Sequence, residues 1–259
     1  MASHVYLAPH LDDAVFSCGG LIARQTANDE KVIVVTVCAG DTPVGELTPL
    51  AVELHRRWGG AGSPIAARRA EDRMACGRLG ASAIHLEVPD AVYRWDAGEP
   101  LYPEEPTLFG SLHPADADLV TRLAALLEEK CPAQARLYCP SVLGGHVDHR
   151  LTRMGAERLG RPLWYYQDMP YAARGGVLPA DLPLPTGTTT TVPLADEEVQ
   201  LWIDAITEYR SQLSTFWPTE NALYRELTEM LERSGGLRFL RPAGAERGMA
   251  GLSATPNGT

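Results

Sequence analysis

Two short segments hold the side chains best equipped for chemistry. His10-Leu11-Asp12-Asp13 sets one imidazole beside two adjacent carboxylates, and His146-Val147-Asp148-His149 sets two imidazoles around a third carboxylate. Imidazole and carboxylate are ligands of catalytic zinc, which takes three protein ligands and keeps a place for water. His10, one aspartate of the pair and one histidine of the second segment would supply that set. The other aspartate could take a proton from water, whose pKa such a metal lowers to about 7. The remaining histidine could steady an oxyanion or protonate a leaving amine. Each segment alone has an ordinary reading. His10 and Asp13 could cap a helix and bind a loop, and His146 and His149 could be surface residues beside a turn. Their joint occurrence at strand ends favours a metal.

The elements that must position these residues read as an α/β fold. Val5–Ala8 is a short apolar strand running straight into the first segment, and Asp12 or Asp13 can cap a helix over Ala14–Thr26. Gly19-Gly20 within that helix is costly, so something must pack close there. Val32–Cys38 is a continuous β-branched run suited to a central strand buried on both faces. Ser63-Pro64 opens a helix that ends at Gly80. Strands are expected at Ile84–Val88, Arg136–Cys139 and Leu163–Tyr166, and helices at Pro114–Lys130 and His149–Leu159. Helical patterns return at Asp196–Leu213 and Thr219–Arg233. Residues 93–113 and 170–195 read as long loops, and the last dozen residues as frayed. Strands alternating with helices give a mostly parallel sheet with helices on both faces. Both candidate segments then lie at carboxyl ends of strands, where such folds place their sites.

Bulk properties narrow the function further. With 259 residues and 45% hydrophobic side chains, the chain can bury a sizeable core as one domain over 1–259. A net charge of −10 excludes a binder that tracks nucleic-acid phosphates. Five cysteines without paired spacing read as scattered thiols in a reducing compartment. No basic leader and no run of about 20 apolar residues is present, so a cytoplasmic protein with no membrane partner is expected. A dinucleotide fingerprint is absent.

The residues also resemble a known family. Ala8-Pro9-His10-Leu11-Asp12-Asp13, Ser17-Cys18-Gly19-Gly20 and His146-Val147-Asp148-His149 look like the PIG-L/LmbE-like deacetylases. Arg68-Arg69-Ala70-Glu71, closing in Leu79-Gly80, is similar to that family's R-x-x-E helix. Tyr209-Arg210-Ser211-Gln212 is similar to its Y-x-S-Q stretch, and Tyr166–Tyr171 to another recurrent segment. The likeness runs from about residue 5 to 213. It implies a Rossmann-like three-layer fold and a zinc-dependent hydrolase that removes an N-acetyl group from N-acetylglucosamine conjugates, small amino-sugar molecules.

Residue by residue, the resemblance makes His10, Asp13 and His149 the zinc ligands, a set that iron(II) could also occupy. It makes Asp12 the general base and His146 the oxyanion stabiliser or acid, with Asp148 orienting His146 or a ligand histidine. Arg68 would reach a sugar hydroxyl or phosphate, with Arg69 as a rival and a salt bridge to Glu71 or Asp72 as the ordinary alternative. Asp90 would bind sugar hydroxyls. Two departures stand out. Leu11 replaces the usual proline, and Gly144 stands where some members carry a tyrosine, a role Tyr93 or Tyr102 could take over. Trp95 and Tyr102 are candidates for stacking on a sugar ring. Two rivals share the fold: a zinc hydrolase of a non-sugar amide or ester, and a non-catalytic sugar-binding protein. The aglycone and the oligomeric state, homo-oligomer included, are not fixed by the sequence.

Overall fold

The computed structural model describes residues 3–59 and 63–243. The tail expected to fray lies outside them. The chain begins β1 (Ser3–Ala8), α1 (Asp13–Ala27), β2 (Lys31–Thr36), α2 (Pro49–Arg57), α3 (Pro64–Arg78) and β3 (Ser82–His85). A two-residue ribbon, β4 (Trp95–Asp96) and β5 (Glu99–Pro100), precedes α4 (Ala117–Lys130), β6 (Arg136–Pro140), α5 (Val147–Glu157) and β7 (Leu163–Tyr166). Then come β8 (Gly187–Val192), α6 (Asp196–Ile206), α7 (Arg210–Phe216), α8 (Glu220–Ser234) and β9 (Leu237–Pro242).

Among the described residues seven strands form one sheet in the order β3-β2-β1-β6-β7-β9-β8. The five strands from β3 to β7 are parallel, whereas β9 runs antiparallel to both β7 and β8. Period-two alternation sends successive strand residues to opposite faces. Tyr6 and Val34 therefore join a core with α1, α3, α6 and α8, while Val5, Leu7, Ile33 and Val35 join a second core with α4 and α5. Helices thus cover both faces, as the alternating pattern requires. Among the described residues no helix is long and apolar enough to cross a membrane, and the five cysteines are buried free thiols.

This topology sets the place of the site. From β1 the chain builds outward through β2 to β3, then returns to the other side of β1 with β6 and β7. The strand order reverses between β1 and β6, so a crevice opens at their carboxyl ends. His10 follows β1 and His146 follows β6.

Some elements differ from the sequence reading. α2 lies where no helix was expected, although Thr48 caps it through its side-chain oxygen and Pro49 fills its first position. The threonine run is the edge strand β8, and β9 completes the sheet beside it. Asp196–Leu213 divides into α6 and α7, with Tyr209 at the break donating its hydroxyl to Asp72 at 2.7 Å.

The glycine pair in α1 has a clear cause. A Cβ on Gly19 would lie 2.2 Å from Trp202 Cδ1, and one on Gly20 2.4 Å from a Leu194 methyl. Trp202 is fully buried and donates its indole N–H to Val15 O at 2.6 Å, so the ring is pinned. Gly19→Ala should therefore destabilise the fold by about 1–3 kcal/mol through overpacking, although alanine favours a helix by about 1 kcal/mol. Denaturant unfolding measures this; an unchanged midpoint would mean that Trp202 yields.

Candidate active site

β1 delivers His10 to the crevice, and the first turn of α1 follows at once. Asp12 occupies the N-cap position of α1 without making a side-chain capping bond. Its carboxylate faces the Arg68 guanidinium at 3.5 Å instead. Asp13 turns the other way, accepting from His10 N at 2.8 Å, with Oδ2 3.2 Å from His10 Nδ1 and 3.3 Å from His149 Nε2. His10, Asp13 and His149 thus place three ligand atoms within 4.8 Å of one another.

Both histidines of this group are fixed from behind by a buried carboxylate. His10 Nε2 lies 3.0 Å from Asp148 Oδ2, and His149 Nδ1 lies 2.7 Å from Asp168 Oδ1. Asp168 is held in turn by Ser141 Oγ at 2.7 Å and Leu143 N at 2.9 Å. Asp148 accepts from Ala91 N at 3.0 Å and from the Arg94 guanidinium. Such partners occupy one ring nitrogen of each histidine and leave the other facing the centre, where a bound metal would take the place of its proton. His10, His146 and Asp148 could also be grouped around an ion, but both Asp148 oxygens are already engaged.

His146 is the N-cap of α5, accepting from Asp148 N at 3.1 Å through Nδ1. It is therefore both a cap and a lining residue of the pocket. Its ring meets His10 and Phe109 edge-on, with centroids 4.9 and 5.3 Å away. The turn before it carries positive φ at Val142, Gly144 and Gly145. Val142 is a β-branched residue for which this conformation is strained, and the hydrogen bonds from Leu143 N to Asp168 and from Gly145 N to Val142 O span the turn.

The local field is strongly negative. Burial and the adjacent Asp13 charge push the Asp12 carboxyl up to about 7, with Arg68 opposing. Burial also works to raise Asp13, but His149 and the hydrogen bonds from both histidines hold it well below the carboxylate range. Burial would lower His149, yet Asp13 and Asp168 push it up to about 10. His146, buried and flanked by His10 and His149, is pushed down to about 3. Burial and Asp148 raise Asp90, whose Oδ2 is 3.6 Å from His10 Nε2.

Arg68 points into the pocket, stacked over Trp58 at 4.5 Å from the ring centroid. Its own-helix alternatives are engaged elsewhere: Glu71 accepts from Ser211 N and Oγ, and Asp72 binds His85 and Tyr209. Two sequence stretches resembling family motifs therefore meet as the contact between α3 and α7. Arg69 turns away to Ala39 O and Asp41. The loop tyrosines do not replace the residue lost at Gly144. Tyr93 binds His55 at 2.5 Å and Tyr102 binds Asp116 at 2.7 Å, both buried. Tyr171 fills that space instead, 2.7 Å from where a Gly144 Cβ would stand, and lines the pocket. Among pocket-lining aromatics are Trp58, Phe109, Tyr171 and Phe216, while Trp95 and Tyr102 lie outside.

With this geometry in place, relationships to known proteins become informative. The PIG-L family profile, described as GlcNAc-PI de-N-acetylase, matches residues 5–159. The chain belongs to this family. A 2'-N-acetylparomamine deacetylase of Niallia circulans is 30% identical over 183 residues, covering 64% of this PIG-L chain and 66% of that protein. A deacetylase of the same description from Streptomyces fradiae is 32% identical over 179 residues, covering 65% and 57%. The chain thus spans 66% and 57% of the lengths of these relatives. The crystal structure of the zinc-inhibited form of teicoplanin deacetylase superposes with a TM-score of 0.79 at 26% identity, covering 94% of this chain and all of that one.

Asp168 and Arg94 were not singled out as site residues from sequence. Asp168 follows β7, the next parallel strand beyond β6, and lies within the Tyr166–Tyr171 stretch that resembles a family segment; those two signals point to it. Arg94 lies in an irregular stretch, yet it is 5% exposed and bridges Asp148 to Asp116, with 3.3 Å between Nη1 and Asp116 Oδ2. Arg94→Leu would leave two buried carboxylates without their counter-charge and should cost about 3–5 kcal/mol. Chemical denaturation reads this directly, and a loss below about 1 kcal/mol would show that Asp148 is compensated by its other partners.

Proposed function

We propose that this PIG-L chain is a metal-dependent N-deacetylase that removes an acetyl group from the nitrogen of a small amino-sugar conjugate. Zinc is the metal proposed, with iron(II) able to take the same ligands. The observation that carries this reading is the convergence of His10 Nδ1, Asp13 Oδ2 and His149 Nε2, with each histidine backed by a buried carboxylate. The deacetylase activities named for the relatives support it.

The donor set fits the ion. Two imidazoles and one carboxylate are a catalytic zinc set, and the 3.2 and 3.3 Å separations match the roughly 3.3 Å edge of a tetrahedron with bonds of about 2.0 Å. The field that raises His149 equally favours a cation. Held by these side chains, the metal would polarise the amide carbonyl and make water acidic enough to lose a proton near neutral pH.

The chain's own residues do the rest. Asp12 stands outside the ligand group, buried beside Arg68, and takes the proton from water as it attacks the carbonyl carbon. Because Asp148 N–H donates to His146 Nδ1, the neutral ring keeps its proton on Nε2. That N–H donates to the developing oxyanion, so His146 serves as an electrophile and not as the acid. Protonated Asp12 then gives its proton to the departing nitrogen as the C–N bond breaks, leaving acetate and a free amine. Asp148 orients His10 in this scheme, not His146. Arg68 and Asp90 flank the group and bind sugar hydroxyls.

Asp13→Ala and His149→Ala should each abolish binding of about one metal ion per chain, measured by elemental mass spectrometry on tag-free protein. Asp12→Asn should keep the metal and lower the rate of amine release from an N-acetylglucosamine conjugate by about 10²–10⁴. Wild-type protein that neither contains nor takes up metal would overturn the reading.

A further inference from the structure

The geometry points to an apolar aglycone, aromatic or alkyl, as the group carried by the amino sugar. This inference rests on the deacetylase reading and concerns the same pocket. The cavity at the site is about 190 Å³, smaller than the roughly 300–1,000 Å³ that encloses a drug-sized ligand. It holds the acetamide and part of a sugar, so the remainder of a conjugate must lie along the mouth.

Beyond its charged and imidazole side chains the lining is largely apolar. Leu50, Leu54 and Trp58 come from α2 and its C-terminal end, Leu108 and Phe109 from the loop opposite, and Phe216 from the end of α7. Phe109 is 43% exposed although one edge of its ring packs on His146. Trp58 supports Arg68 with its face. Phe109 is exposed and Leu50, Leu54 and Phe216 are half-buried, so this part of the lining stays partly in water unless something covers it. Here the wall is continuous with the candidate catalytic corner, so a group attached to the bound sugar is placed to cover it.

Charge argues the same way. The carboxylates Asp12, Asp13 and Asp90 sit on the polar floor with Arg68, His10, His146 and His149. Beyond that floor the lining holds one exposed cation, Arg57, and one exposed carboxylate, Glu105. Arg57 pairs with Glu53 at 3.0 Å, and a single carboxylate, Glu105, is too little acid to hold a polycationic aglycone. An apolar ring or chain gains from the burial that this rim offers, and a polyamine does not.

The test compares kcat/KM for amine release by the metal-loaded full chain on four substrates: free N-acetylglucosamine, its p-nitrophenyl and octyl glycosides, and 2'-N-acetylparomamine. At least one apolar glycoside should exceed the free sugar by about tenfold or more, which corresponds to about 1.4 kcal/mol, and should exceed 2'-N-acetylparomamine. The p-nitrophenyl and octyl arms separate an aromatic from an alkyl source. Leu54→Asp should reduce the ratio of apolar glycoside to free sugar at least fivefold, and Phe109→Ser, at an exposed position, repeats the test without burdening the core. Release from all substrates at equal efficiency, or preference for 2'-N-acetylparomamine, overturns the apolar aglycone while leaving the deacetylase reading intact. Release from none overturns both.

Discussion

Five buried carboxylates, those of Asp12, Asp13, Asp90, Asp148 and Asp168, crowd around three histidines at the end of the sheet. Like charges packed into a poorly solvated volume repel strongly, and burying them unpaired is costlier still. Much of the surrounding architecture answers that cost. Arg94 neutralises Asp148 from below, Arg68 faces Asp12 from the side, and backbone N–H groups of Ala91, Val92 and Leu143 donate to Asp148, Asp90 and Asp168. The irregular segment after β3 is therefore a structural part of the site. Its first turn supplies two of those N–H donors, its Arg94 supplies the cation, and Tyr102 ties its far end to Asp116.

The segments that reveal the site in sequence are those whose spacing is local. His10 to Asp13 and His146 to His149 each lie within four residues of a strand-helix junction, so an eye trained on ligand chemistry finds them together. Gly19-Gly20 was also legible as a place of close approach, although the partner, Trp202, lies far along the chain. Asp168 lies in the family-like Tyr166–Tyr171 stretch, but nothing local to it marks its role. Its role exists only because β7 pairs with β6 and sets its carboxylate against His149. Arg94 was hidden for a related reason: an arginine among prolines, glycines and acids reads as solvated, and only the fold brings it under Asp148.

Element boundaries failed where pairing, not local pattern, decides. β8 is a threonine-rich edge with mostly exposed side chains, lacking the apolar alternation that identifies a half-buried strand. α2 carried a readable start in Thr48-Pro49 but sits in a stretch rich in turn residues, which obscured it. Residues beyond the family-matched segment also build the pocket. Asp168 holds a candidate ligand, Tyr171 fills the gap left by Gly144, and Phe216 forms one side of the mouth. The walls of the pocket thus come from both within and beyond the family-matched segment.

The position of β9 has a consequence for how the chain assembles during synthesis. Among the described residues β8 has one neighbour in the sheet, β9, and β9 alone joins it to β7. β8 leaves the ribosome first, yet it has no strand to pair with until residues 237–242 have followed α6, α7 and α8. Until then the β7 edge lies open and a threonine-rich segment waits unpaired beside it. Long-range closures of this kind are slow and leave edges available to other chains. Of the helices that fill the interval, α6 packs on α1 and α3, and until β9 follows them the open edge is a point at which nascent copies can find one another.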